Sequence, residues 1–104
     1  LDGLGREQAQ IPLDSLQTAY DERMARAAQT MRLKNHDYGE AWRGMRITSL
    51  TDMLLMRVLR IRQLEDMGPA GAQASEGVDA NYIDAINYAL FALIRLGEEK
   101  PAER

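Results

Sequence analysis

The stretch Ala80-Asn-Tyr-Ile-Asp-Ala-Ile-Asn-Tyr-Ala-Leu-Phe-Ala-Leu-Ile94 decides the fold of this chain. Apart from two tyrosine hydroxyls, its only clearly polar side chains are those of Asn81, Asp84 and Asn87. A helix that is apolar on nearly every side is typical of a buried position. The stretch therefore predicts a helix that packs against several neighbours.

Two further long helices are predicted before this one, because apolar residues recur there at helical spacing. The first helix is expected over about 14–34, with Asp14 or Ser15 as its N-cap, and the second over about 50–67, with Ser49 or Thr51 as its N-cap. The third is expected over about 80–96, where Asp79 would be the N-cap and Gly97 would end the helix.

The remaining segments predict short connections and tails. Gly39 is expected to interrupt the chain before a short helix over about 40–45, and residues 68–78 are expected to form a loop. No stretch alternates in the manner of a strand. We therefore predict an all-α fold, a small antiparallel bundle of three long helices plus one short helix. Residues 1–12 would form a tail or arm, 13–97 a single helical domain and 98–104 a polar tail.

The second long helix is apolar on two sides. Leu50, Leu54, Val58 and Ile61 form one face, and Leu55, Met56 and Leu59 lie nearly opposite. Such a helix needs two packing partners. In so short a chain we expect one of them to come from another subunit, which predicts a homodimer or a higher homo-oligomer.

The composition of the chain argues against several classes of protein and of site. The chain has 104 residues, no Cys and a formal charge of −3. One domain is expected, and neither disulfides nor a thiolate metal site is available. The acidic balance argues against direct nucleic-acid binding. The longest strongly apolar run is too short to cross a membrane, so we predict a cytoplasmic protein with no membrane partner.

The block Lys34-Asn-His-Asp-Tyr-Gly-Glu-Ala-Trp-Arg43 concentrates chemically different side chains. Asp37 and Glu40 are three residues apart, as are Asp84 and Asn87 in the last helix, and helical residues at that spacing point the same way. Two such pairs offer the oxygen ligands that Mg²⁺ prefers. The sequence thus suggests a site for Mg²⁺ or Mn²⁺.

Structural explanations for the same residues stay open. Asp84 could be held by a salt bridge to an arginine with Asn87 bonded to backbone, and Asp37 could cap the short helix, with Glu40 in its first turn. Trp42 would more often be a core residue than a platform for a base. His36 would more often be a surface or hydrogen-bonding residue than a ligand.

Five separated pieces of sequence together resemble the nucleotide-modification-associated domain 1 family. They are the block 34–43, Thr51-Asp52, Arg57-x-x-Arg60-Ile61, Ser75-Glu76-Gly77 and Asp84-x-x-Asn87-Tyr88. The resemblance runs from about Lys34 to Ile94 and implies a role around nucleotides, with no established reaction.

A more distant likeness is to all-α nucleoside triphosphate pyrophosphohydrolases of the MazG and dimeric dUTPase kind. Those enzymes hold Mg²⁺ with a Glu-x-x-Glu pair on one helix and a Glu-x-x-Asp pair on another. Asp37-x-x-Glu40 and Asp84-x-x-Asn87 would stand in those places here. Because Asn87 is neutral, one negative charge is missing, which Asp52 or Glu76 could replace.

Two functions follow as hypotheses. The first is an enzyme that hydrolyses a nucleoside triphosphate to monophosphate and pyrophosphate with Mg²⁺. In this enzyme the metal would be bound by Asp37, Glu40, Asp84 and Asn87, and catalysis would depend on Glu40 and Asp84. The phosphates would be bound by Lys34, Arg43, Arg57 and Arg60. The base would stack on Tyr38 or Trp42, and accessory contacts would come from His36, Asp52 or Glu76. The alternative is a non-catalytic helical homodimer that binds a nucleotide or a protein, with its carboxylates paired to nearby arginines.

Overall fold

The computed structural model describes residues 12–74 and 76–99, together with the backbone but not the side chains of Asp37 and Tyr38. Within these residues the regular structure is helical and contains no strand, which confirms the all-α prediction. The elements are α1 (Leu13–Tyr38), the 3₁₀ turn η1 (Ala41–Gly44), α2 (Ile47–Asp66), α3 (Pro69–Ala72) and α4 (Val78–Glu99). The predicted tails were 1–12 and 98–104; residues 98 and 99 belong to α4, and residues 1–11 and 100–104 lie outside the described residues.

Helix α1 is longer than predicted. It extends to Tyr38 rather than 34 and ends at Gly39, whose φ of +66° stops the helical path. Pro12 occupies the N-cap position in place of Asp14 or Ser15, and its carbonyl accepts a bond from the Leu16 N–H. The short helix that was predicted over 40–45 is the 3₁₀ turn η1.

The start of α2 also differs from the prediction. Arg46 is its N-cap residue, so Ser49 and Thr51 lie inside the helix. The Thr51 hydroxyl donates to the carbonyl of Ile47, a local bond that satisfies it without capping the helix. After α2, Gly68 has a φ of +61°, and α3 forms within the predicted loop with Pro69 in its first turn.

Helix α4 runs through Gly97 to Glu99, so the predicted stop at Gly97 is wrong. A glycine can remain helical when the following residues have favourable contacts. Here Glu98 binds Arg43 of η1, which gives the last turn a tertiary partner. Asp79 lies in the first turn of α4 rather than at its N-cap.

The core lies where α2 and α1 pack on α4. Its fully apolar members are few: Ala27 on α1, Leu50, Ile61 and Leu64 on α2, and Ile83 on α4. The outer face of α2 is solvent-exposed, with 54% of Leu55, 60% of Met56 and 55% of Leu59 accessible. The structure therefore shows the two-sided apolar helix that motivated the oligomer prediction, which stays a prediction. None of the helices in the described segments is long and apolar enough to cross a membrane.

Candidate functional site

A cavity of about 270 Å³ opens between α1, η1, α2 and α4. Most of its wall is apolar and is formed by Met31, Trp42, Met45, Met53, Tyr88 and Phe91. Its polar lining groups are Lys34, Asn35, Asp84 and Asn87. An apolar cavity with a few convergent polar groups is the usual form of a small-molecule site.

The aromatic wall is ordered by stacking. The ring of Trp42 lies parallel to that of Phe91, at 4.4 Å between centroids and 4° between planes, and Tyr88 meets Phe91 edge to face. The guanidinium carbon of Arg43 lies 4.5 Å from the centroid of the Trp42 ring. Trp42 is therefore both a packing residue and a lining residue, because the turn after Gly39 folds η1 onto the side of α4.

The acidic group of the cavity is paired across the helices. Lys34 on α1 donates from Nζ to Oδ1 of Asp84 at 2.7 Å. The Asp84 side chain is 20% exposed and that of Lys34 is 54% exposed. The cation opposite Asp84 is thus Lys34, which the sequence analysis assigned to phosphate, and not an arginine.

Asn87 on α4 forms a hydrogen bond to the backbone of α1. Its Nδ2 donates to the backbone carbonyl of Ala27 at 3.0 Å, and the residue is buried. Its Oδ1 accepts no hydrogen bond from the part of the chain that the structure describes, although Asn87 lines the cavity. Asn87 therefore joins α1 to α4 and leaves one acceptor for a ligand.

Glu40 has a different set of contacts. Arg43 donates from Nε to Glu40 and from Nη1 to Glu98, and the hydrogen bonds to Glu98 and then to Glu40 raise the pKa of Arg43 above its ordinary value. The Asp37 and Tyr38 side chains, predicted as metal ligand and base platform, lie outside the described residues. Among the described side chains, no three acidic or histidine groups lie close enough together to hold a metal ion.

Arg57 and Arg60, also predicted to bind phosphate, lie on α2 and bind residues at the entry to α4; like Arg43, they do not line the cavity. Arg57 donates to Oδ1 of Asn81 at 2.9 Å, and Arg60 donates from Nε to Glu76 at 2.6 Å. Glu76, predicted as an accessory ligand, is thus an ion-pair partner of Arg60. These contacts join α2 to the start of α4 and to the residue Glu76 that precedes it.

Asn81 has a structural role that was not predicted from the sequence. It is fully buried, and its Nδ2 donates to the carbonyls of Glu76 at 2.7 Å and Gly77 at 2.9 Å while its Oδ1 accepts from Arg57. Its place one turn before Asp84 in an apolar helix was the available signal. The side chain closes the N-terminal end of α4.

A second pair of charges joins α1 to α4 away from the cavity. Arg26 donates to Asp79 at 2.8 Å, and this bond, with that from the Ala80 N–H, lowers the pKa of Asp79. His36 and Asp52, the remaining predicted accessory residues, are exposed and do not line the cavity.

The family model described as Nucleotide modification associated domain 1 matches residues 34–96. The match begins at Lys34 and includes η1, α2, α3 and nearly all of α4, so it covers most of the cavity wall. Comparisons with curated proteins and with solved structures found no significant match.

Proposed function

This chain belongs to the nucleotide modification associated domain 1 family, and from that premise we propose that its cavity binds a nucleotide. The base and sugar would lie against the aromatic wall at Trp42, and a phosphate would meet Lys34 at the rim. The observation that carries the proposal is the combination of an apolar, aromatic cavity with a half-exposed lysine side chain beside it.

The size of the cavity supports this arrangement. Its volume of about 270 Å³ lies near the lower limit of ligand pockets, about 300 Å³. That space suits a base with its sugar and leaves the charged phosphates in solvent, where their hydration is retained. An apolar wall favours the flat base, and the free acceptor of Asn87 suits a base N–H group.

The contacts of the described carboxylates favour binding over turnover. Asp84 is held by Lys34, and Glu40 by Arg43. A phosphate that reaches Lys34 would compete with Asp84 for the same ammonium group. Since Lys34 is about half exposed, it is accessible to such a ligand without unfolding of the site.

Trp42 is the only Trp of the chain, so its fluorescence reports on the cavity alone. We expect nucleoside mono-, di- and triphosphates to change that fluorescence saturably. Lys34→Ala is expected to weaken binding about tenfold, because one charged hydrogen bond contributes about 1.4 kcal/mol or more. Fluorescence titration, checked by calorimetry, measures both affinities.

Arg26→Ala is the matched control, since Arg26 is a second cation that joins α1 to α4 and it does not line the cavity. Its affinity should equal that of the wild type. If no nucleotide binds at millimolar concentration, or if both variants lose affinity equally, the proposed site is wrong.

Hydrolysis is a second candidate, favoured by one specific observation. Gly39 and Ala41, the neighbours of Glu40, line the same cavity as Asp84 and Asn87. The backbone on either side of Glu40 and the second predicted ligand pair therefore border the same cavity. The described carboxylates do not lie close enough together to hold a metal ion. Hydrolysis of a nucleoside triphosphate to monophosphate and pyrophosphate with Mg²⁺ or Mn²⁺ would therefore require Asp84 to break its ion pair with Lys34.

For this candidate we expect Asp84→Asn to abolish Mg²⁺-dependent product formation in a screen of nucleoside triphosphates with product identification. The variant should stay folded. Because Lys34 is half exposed and can be hydrated, the lost pair should cost only about 1 kcal/mol, less than the several kcal/mol of a fully buried pair. Wild-type protein that binds nucleotides and forms no product would reject hydrolysis while leaving the binding proposal intact.

A further inference from the structure

The outer face of α2 carries a stripe of two apolar residues between two opposite charges. Asp52, Leu55, Leu59 and Arg62 follow one another at intervals of three, four and three residues, which places them along one face of a helix. All four are exposed, and more than half of each leucine is accessible. We call this set the α2 stripe.

Nothing within the described chain uses the charges of the stripe. Asp52 and Arg62 make no hydrogen bond or ion pair with other described residues. The opposite face of α2 carries its buried residues, Leu50, Ile61 and Leu64, and α2 already packs on α4. The same side of α2 also exposes Met56 and Val58, and exposed apolar residues grouped in this way are typical of a contact surface.

We propose that a second copy of this chain covers the α2 stripe, with the two α2 helices antiparallel about the level of Arg57. In that register Leu55 of each copy lies opposite Leu59 of the other, and Asp52 lies opposite Arg62. A twofold interface repeats each contact twice, so the stripe complements itself in both charge and apolar character. A parallel pair would place Asp52 against Asp52 and Arg62 against Arg62, which is repulsive.

The dimensions fit this pairing. Asp52 and Arg62 are ten residues apart in sequence, which corresponds to about 15 Å along a helix. Helices that pack through small apolar contacts lie about 8–10 Å apart, within reach of Asp and Arg side chains. The proposal is independent of the nucleotide site, because no residue of the α2 stripe lines the cavity.

Charge exchange tests the register. Asp52→Arg and Arg62→Asp should each weaken the dimer about tenfold or more in sedimentation equilibrium, since each turns two attractive pairs into repulsive ones. The double variant D52R/R62D should restore wild-type affinity. The two single variants, mixed in equal amounts, should form a mixed dimer more readily than either forms a dimer alone.

Cysteine cross-linking tests the orientation, because the wild-type chain has no Cys. A mixture of Leu55→Cys and Leu59→Cys chains should form a disulfide-linked dimer faster than either variant alone. Faster cross-linking of each variant with itself would indicate a parallel pair and overturn the proposal. A wild-type monomer at about 100 µM, a concentration at which a dimer of micromolar affinity would be almost fully formed, would overturn it as well.

Discussion

Gly71→Ala is expected to destabilise the fold by about 2–4 kcal/mol, within the range for substitutions that force atoms into a packed interior. Gly71 is buried in α3, and a Cβ there would overlap the backbone carbonyl of Leu64 in α2. Backbone cannot rotate away as a side chain can, so α3 must move from α2. Thermal melts should show a decrease in Tm of about 10 °C or more.

The comparison variant is Gly97→Ala, since Gly97 lies inside α4 with no atom near the position of an added Cβ. That change should raise stability by about 0.5–1 kcal/mol, because alanine loses less backbone freedom in a helix than glycine does. If the two variants melt alike, the close approach of α3 to Leu64 is wrong.

Asn81→Ala is expected to have an effect of similar size, about 3 kcal/mol. The substitution removes the donors to the Glu76 and Gly77 carbonyls and the acceptor for Arg57 in a fully buried position. Each buried polar group left without a partner costs about 1–3 kcal/mol, although Arg57 and the carbonyls can partly relax towards water. Chemical denaturation measures the loss.

Asn35→Ala serves as the control, because Asn35 is half buried at the cavity and its side chain makes no hydrogen bond to the described residues. Its free energy of unfolding should change by less than about 0.5 kcal/mol. Equal losses at both positions would mean that general packing, and not the Asn81 hydrogen bonds, holds the entry to α4.

The sequence predicted the helices well because apolar periodicity depends on which faces are buried. It predicted their ends poorly, since ends depend on contacts between distant residues. Gly97 resembles a helix stop until Glu98 is seen bound to Arg43. Ser49 and Thr51 resemble caps, but the chain that leaves η1 is already helical from Ile47.

Helical spacing also indicated four of the residues that line the cavity, and the roles assigned to them stay predictions. Lys34, Trp42, Asp84 and Asn87 do meet in one cavity, as expected of side chains spaced along helices that pack together. The partner of Asp84 was not predictable, because the rotation of each helix about its axis decides whether Lys34 of α1 or an arginine of α2 faces that carboxylate. Local spacing carries no information on that rotation.

The 3₁₀ turn η1, which contains Trp42, is held against α4 by two kinds of interaction that respond to salt in opposite ways. The Arg43 bonds to Glu40 and Glu98 join exposed charges, which dissolved ions screen. The stacking of Trp42 on Phe91 is apolar, and strongly hydrated salts such as sulfate strengthen contacts of that kind. At equal ionic strength chloride and sulfate screen the Arg43 bonds to a similar extent, but sulfate also strengthens the stacking, so Trp42 is held against Phe91 more firmly in sulfate than in chloride.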